Sequence, residues 1–209
     1  MINIAIVIGS TRPGRRGDQV AQWVQEQAVA RSPHGTEVEY TIVDLADAGL
    51  PLLDEPVPAA LGDYRHEHTR RWAELIASFD GFIFVTPEYN HAMPAALKNA
   101  IDYLFAEWHD KAAAFVSYGL TGGVRAVEQL RLTLAEVKVA GVRSQVAVTL
   151  FHDFVITDMA QPGTFAPADH HLPVLDRMLS ELTAWSQALA PLRRTTLNDP
   201  TGASAVEQK

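Results

Sequence analysis

Three short stretches of this 209-residue chain carry residue types that suit chemistry. The first reads Gly9-Ser10-Thr11-Arg12-Pro13-Gly14-Arg15-Arg16-Gly17-Asp18-Gln19 and lies between an apolar run and a helical pattern. Free backbone N–H groups at a helix start attract anions. Small hydroxyls donate hydrogen bonds, and arginine donates in a fork that matches phosphate. A polar turn capped by Asp18 is the plainer alternative, but three arginines within five positions exceed what a turn needs. The loop lacks the Gly-Lys-Ser/Thr ending of a Walker loop and is not the GxGxxG dinucleotide fingerprint. The second stretch is Thr86-Pro87-Glu88-Tyr89-Asn90-His91-Ala92-Met93-Pro94. Its prolines frame a stiff loop whose ring and unpaired backbone groups can lie along a flat heterocycle. The alternative is that Tyr89 packs on the core or on a partner subunit. The third is Ser117-Tyr118-Gly119-Leu120-Thr121-Gly122-Gly123, whose glycines allow close backbone approach. A glycine-rich turn into a helix is its alternative reading.

These stretches need elements to bring them together. Residues 2–8 form an almost unbroken apolar run, as a strand buried on both faces does. Val20, Ala21, Trp23, Val24 and Ala28 follow at helical spacing. Residues 37–43, 82–85, 112–116 and 142–150 read as four more strands, and 68–79, 95–105, 124–139 and 173–189 as helices. Residues 44–62 hold Pro51, Pro56 and Pro58 and read as an irregular loop. Strands alternating with helices predict a parallel sheet covered on both faces. Five strands suggest the flavodoxin-like α/β sandwich with order 2-1-3-4-5, in which ligands sit at the carboxyl ends near the switch in strand order. All three chemical stretches follow a strand. Residues 1–192 read as one domain, 193–209 as a flexible polar tail, and 151–171 as a lid or an oligomer contact.

Composition narrows the function further. A formal net charge of -8 argues against general nucleic-acid binding. With no cysteine there is no disulfide, thiolate metal site or thiol redox couple, so redox chemistry falls to a bound organic cofactor. The apolar start lacks a basic region and a cleavage site and is too short for a membrane span, so the expectation is a cytoplasmic protein without membrane attachment. His66, His68, His170 and His171 are not read as a metal site, and Phe105 and Trp108 are read as core or dimer contact.

Taken together, GSTRPGR at 9–15, TPEYN at 86–90 and SYGLTGG at 117–123 resemble the NADPH-dependent FMN reductase family. The resemblance implies an FMN-dependent oxidoreductase that passes electrons from NADPH or NADH to a small-molecule acceptor such as free flavin or a quinone. A flavodoxin-type electron carrier or a flavin-binding redox sensor is the competing reading. The resemblance also implies that Ser10 and Arg12 bind the FMN phosphate with Gln19 and the backbone of Gly17 and Asp18. Pro87, Glu88, Tyr89 and Asn90 would line the ribityl chain and ring, and Ser117 and Gly119 the ring's other edge. No side chain is assigned a catalytic role. Many members carry a serine late in the phosphate loop where this chain has Arg16-Gly17-Asp18. Arg15 and Arg16 are read as solvated charges, with the NADPH 2′-phosphate as their alternative partner, and Asp18 as the cap of the first helix. The family implies a homodimer or a dimer of dimers.

Overall fold

A computed structural model describes residues 1–31 and 37–198. Five parallel strands, β1 (Ile2–Ile8), β2 (Val38–Asp44), β3 (Gly81–Pro87), β4 (Lys111–Gly119) and β5 (Val139–Thr149), lie in the order β2-β1-β3-β4-β5. Between them run α1 (Gly17–Ala30), α2 (Glu67–Ala77), α3 (Ala95–Asp102) and α4 (Val124–Glu136). The chain then forms a short α5 (Leu150–Asp153), a two-stranded antiparallel hairpin of β6 (Phe154–Val155) and β7 (Thr164–Phe165), and a long α6 (His171–Asn198). This is the flavodoxin-like sandwich that the sequence predicts.

The unbroken apolar strands follow from burial on both faces. Every residue of β3 and β4 is buried. Along β3, Phe82 and Phe84 face a core shared with Trp72, Ile76, Trp108 and Leu130. Ile83 and Val85 face the opposite core with Val20, Val24, Met178 and Leu182. The alternation is the period-2 geometry of a strand sorting side chains to two layers. Trp108 is wholly buried, so it is core.

Several boundaries differ from the sequence reading, and three of them are instructive. The segment expected as one helix over 95–105 ends at Asp102 and resumes as a 3-10 turn at Ala106–Trp108. Strand β5 begins at Val139, just after Lys138 turns the chain at φ 55°. Helix α6 runs on through Pro191 to Asn198, beyond the expected start of a tail at 193. Arg193 accounts for this: its guanidinium donates to Asp80 Oδ1 at 2.7 Å, Asp110 O at 2.9 Å and Ser186 O at 3.1 Å. The apolar spacing fades near Leu189, so pattern alone ends the helix too early. The rest of the expected tail, 199–209, lies outside the described residues.

Lys111, at the opposite end of the sheet from the three stretches, is 4% exposed and donates to Ile76 O at 2.6 Å and Ala77 O at 3.2 Å. It thereby binds the last carbonyls of α2. Burial, then the nearby Arg193 charge, pushes its pKa down to about 7. Between pH 7 and the unfolded value near 10.5, the unfolded chain binds a proton that the native state does not. Stability should therefore rise with pH across this window and be flat in this contribution below it. Thermal unfolding at pH 7 and pH 9 should show that rise in the parent and lose most of it in Lys111→Met. An equal rise in both would assign it to other groups.

Candidate functional site

The parallel topology brings the carboxyl ends of β1, β3 and β4 side by side. Gly9 N–H donates to Val85 O at 2.9 Å and holds the first loop against β3. Ser10 is fully buried, and its Oγ shares a 2.8 Å hydrogen bond with Tyr89 Oη. The same Oγ accepts from Arg12 N–H at 3.4 Å. One contact thus joins the first and second stretches.

Helix α1 starts at Gly17, and its first backbone bond runs from Val20 N–H to Arg16 O. The N–H groups of Gly17, Asp18 and Gln19 precede that bond and form the anion-attracting end of the helix. Asp18 is not the cap, because Arg16 holds that position without a side-chain hydrogen bond. The Asp18 carboxylate instead accepts from Arg15 Nε at 2.7 Å. Arg15 also donates to the Asp44 carboxylate and to Ser10 O at 2.8 Å. It is not a solvated charge but a clamp that closes the loop on β2, and the two carboxylates leave it little capacity for a ligand.

Arg16 is buried as well. It donates to Gln161 O at 2.9 Å and lies 5.8 Å from the centre of the Phe154 ring, both in the hairpin segment. Gln19 has both ends of its amide engaged there too. Nε2 donates to Gly163 O at 3.0 Å, and Oε1 accepts from Phe165 N–H at 2.8 Å. Its side chain anchors the hairpin, so only its backbone faces the helix start. At the hairpin's base the buried Asp153 accepts from Thr149 N–H at 2.7 Å and Ala168 N–H at 3.2 Å and pairs with His171 at 2.9 Å. Burial opposes its ionisation, but these hydrogen bonds hold its carboxyl below the usual range. The 151–171 segment is therefore built into the first loop through Arg16 and Gln19.

Residues 89–92 form a two-residue hairpin turn. Tyr89 N–H donates to Ala92 O at 2.9 Å, Ala92 N–H donates to Tyr89 O at 3.1 Å, and Asn90 and His91 have φ of 51° and 68°. Two successive positive φ values define the type I′ geometry, and neither central N–H is used by the turn. Glu88 N–H donates to Tyr118 O at 3.2 Å. Its carboxylate is held by Arg125. Burial would raise the Glu88 carboxyl, but hydrogen bonds and charge from Arg125 keep it below the usual range. Ser117 is buried and donates to Gly122 O at 2.6 Å, so its hydroxyl shapes the glycine turn rather than facing a ligand.

Two adjoining cavities occupy the junction. One, of about 120 Å³, is lined by Arg12, Arg16, Pro87, Tyr118, Gly119 and Leu150. The other, of about 490 Å³ and open to solvent, is lined by Asn90, His91 and Arg125. Glu88, Tyr89 and Leu120 border both. The smaller one contains the site's clearest chemical signal. Arg16 Nε and Tyr118 Oη are buried there without a hydrogen-bond partner. A buried polar group left unpaired costs about 1–3 kcal/mol, so each calls for a partner. A Cβ on Gly17 would stand 3.0 Å from Tyr118 Oη. Ile8 Cγ2 lies 3.1 Å from the same point, so only a glycine lets Tyr118 pack directly against the helix start. Two donors at a helix N-terminus fit an anion with several acceptor oxygens, as a phosphate monoester has.

Sequence reasoning placed Tyr118 in the third stretch but gave it no role, because the glycines around it carried that stretch's reading. Arg125 did leave a signal: it is a cation in the first turn of α4, where the helix dipole disfavours positive charge. Among the described residues no group of three or more His, Asp or Glu side chains is placed to hold a metal ion. No described helix is long and apolar enough to cross a membrane.

A model of the NADPH-dependent FMN reductase family matches residues 2–153. An NAD(P)H-dependent FMN reductase of Nectria sp is 43% identical over 138 residues, 64% of this chain and 68% of that protein. One of Schizosaccharomyces pombe is 38% identical over 162 residues, 77% of this chain and 79% of that protein. A quinone reductase of Pseudomonas putida is 34% identical over 139 residues, 63% of this chain and 69% of that protein. Among solved structures, the flavoenzyme NAD(P)H:(acceptor) oxidoreductase of Paracoccus denitrificans superposes with a TM-score of 0.67 at 21% identity, covering 90% of this chain and 98% of that one. At that identity the match speaks for the fold.

Proposed function

The chain belongs to the NADPH-dependent FMN reductase family, and on that premise we propose that it is an FMN-dependent oxidoreductase carrying electrons from NAD(P)H to a small acceptor such as free flavin or a quinone. The observation that carries this reading is the pair of unpartnered buried groups, Arg16 Nε and Tyr118 Oη, on residues that line the smaller cavity beside the start of α1. In this reading the FMN phosphate is held by Ser10, Arg12, Arg16, Tyr118 and the backbone N–H groups of Gly17, Asp18 and Gln19. Pro87, Glu88, Tyr89 and Asn90 border the ribityl chain and ring on one side and Gly119 on the other, while Ser117 keeps the glycine turn in shape.

Bound FMN would supply the hydride chemistry, taking a hydride from the nicotinamide and giving electrons to the acceptor. The protein's own part is to bind and orient. The unused Asn90 and His91 N–H groups offer stabilisation for negative charge on the ring, as an oxyanion hole does. The larger cavity is open enough for the nicotinamide and the acceptor to enter in turn, and Leu120 gives it an apolar rim. No side-chain acid or base is needed. Exposed Phe151, Val155 and Met159 on the hairpin segment supply apolar surface near the site, which supports a homodimer or a dimer of dimers. We place the protein in the cytoplasm.

The test is an anaerobic visible spectrum of the FMN-reconstituted protein before and after NADPH, then NADH. Rapid bleaching of the flavin band is the expected result. Flavin that binds without bleaching would overturn the reductase reading in favour of an electron carrier or redox sensor, and failure to bind flavin would remove the site itself.

A further inference from the structure

Resting on the FMN reading above, we propose that the Glu88–Arg125 ion pair balances charge at this site and so sets the reduction potential of the bound flavin. Glu88 borders both cavities, and its side chain is only 8% exposed. Its Oε1 accepts from Arg125 Nε at 2.7 Å and lies 2.5 Å from Arg125 Nη2. Its Oε2 accepts from Arg125 N–H at 3.1 Å. Arg125 is steadied in turn by donating to Thr121 Oγ1 at 2.9 Å.

The arrangement runs against local preference. Arg125 is the second residue of α4, and the first turn of that helix holds no acidic residue of its own. A cation there opposes the helix dipole. Glu88 supplies the missing anion from another strand end, and Arg125 neutralises a carboxylate that burial would otherwise make costly. The net charge of the pair is zero. Reduction makes a flavin more negative, so an uncompensated carboxylate at this position disfavours the reduced form and an uncompensated guanidinium favours it. The pair holds those two influences in balance, and Arg125 acts as a positioning residue through Glu88.

Charge arithmetic gives a signed test. The FMN-loaded protein and its variants are equilibrated anaerobically with a reference dye of known potential, and flavin affinity is followed by fluorescence quenching. R125Q leaves a lone carboxylate and should shift the oxidised-to-reduced equilibrium about tenfold toward oxidised, about 30 mV more negative for a two-electron couple. E88Q leaves a lone guanidinium and should shift it the other way. The double variant should return toward the parent, and R125K, which keeps the charge, should stay near it. If R125Q does not fold, the sign of the near-isosteric E88Q shift decides. Single variants that bind flavin but shift in the same direction, or not at all, overturn the role of the pair and leave the flavin site standing. A parent protein that binds no flavin overturns the site reading and this inference with it.

Discussion

Replacing Arg12 by alanine is expected to weaken FMN binding by about 10- to 100-fold while leaving thermal stability almost unchanged, because a charge-assisted hydrogen bond contributes about 1.5–3 kcal/mol. The expectation rests on how differently the three loop arginines are engaged. Arg15 is committed to Asp18 and Asp44, and Arg16 is buried against the hairpin. Among the described residues the Arg12 guanidinium donates to the carbonyls Pro13 O at 3.1 Å and Gly14 O at 3.3 Å and to no carboxylate, and it lines the smaller cavity. Its guanidinium can therefore swing to a phosphate without breaking a salt bridge or uncovering a buried group. The control must remove the same charge elsewhere. Arg71 suits this, since it lies on the surface of α2 with only an exposed i,i+4 partner, Glu67. Such pairs contribute little to stability. Arg193 does not suit it, because it ties α6 to Asp80 and Asp110. Fluorescence titration should separate Arg12→Ala from Arg71→Ala by at least tenfold. Equal affinities would place Arg12 outside the site.

The general position of the site was legible in the sequence because its three parts each end a strand, and the alternation of strands and helices dictates which strand ends meet. The individual roles were less legible, for a physical reason. Asp18 looks like a cap when only its neighbours in sequence are considered, and the family resemblance makes Gln19 a phosphate ligand. Their actual partners come from elsewhere: Arg15 draws Asp18 into a pair that also holds Asp44, and Gly163 and Phe165 take both ends of Gln19. The hairpin carrying those partners has strands of only two residues, too short to produce a period. The opposite holds for Arg125. Its position at a helix start breaks a local electrostatic preference, and a broken local rule is readable from sequence as a mark of function. The partner it requires, Glu88, lies 37 residues earlier and meets it only because β3 and β4 are adjacent.

Gly123→Ala should destabilise the protein by about 3 kcal/mol or more, and the loss should extend to flavin binding. Gly123 caps α4 in the left-handed region at φ 69°. That conformation alone costs an alanine about 1–2 kcal/mol. The added methyl would also stand 2.9 Å from Ser117 Cβ and 3.0 Å from both Tyr118 N and Tyr118 O. Two of these neighbours are backbone atoms at the end of a fully buried strand, so the glycine turn must give way instead. Moving it strains the Ser117 hydrogen bond to Gly122 O and draws the start of α4, with Arg125, away from Glu88. Gly14→Ala provides the comparison. Gly14 has nearly the same φ, 67°, but nothing lies within 4 Å of its added methyl, so that variant pays the backbone cost alone. Thermal melts should show a drop of roughly 6–12 °C for Gly123→Ala, at about 2–4 °C per kcal/mol for a domain of this size. The drop for Gly14→Ala should be roughly one third to two thirds as large. Equal drops would mean that the turn yields freely and that close packing of Gly123 on β4 does not fix the position of Arg125.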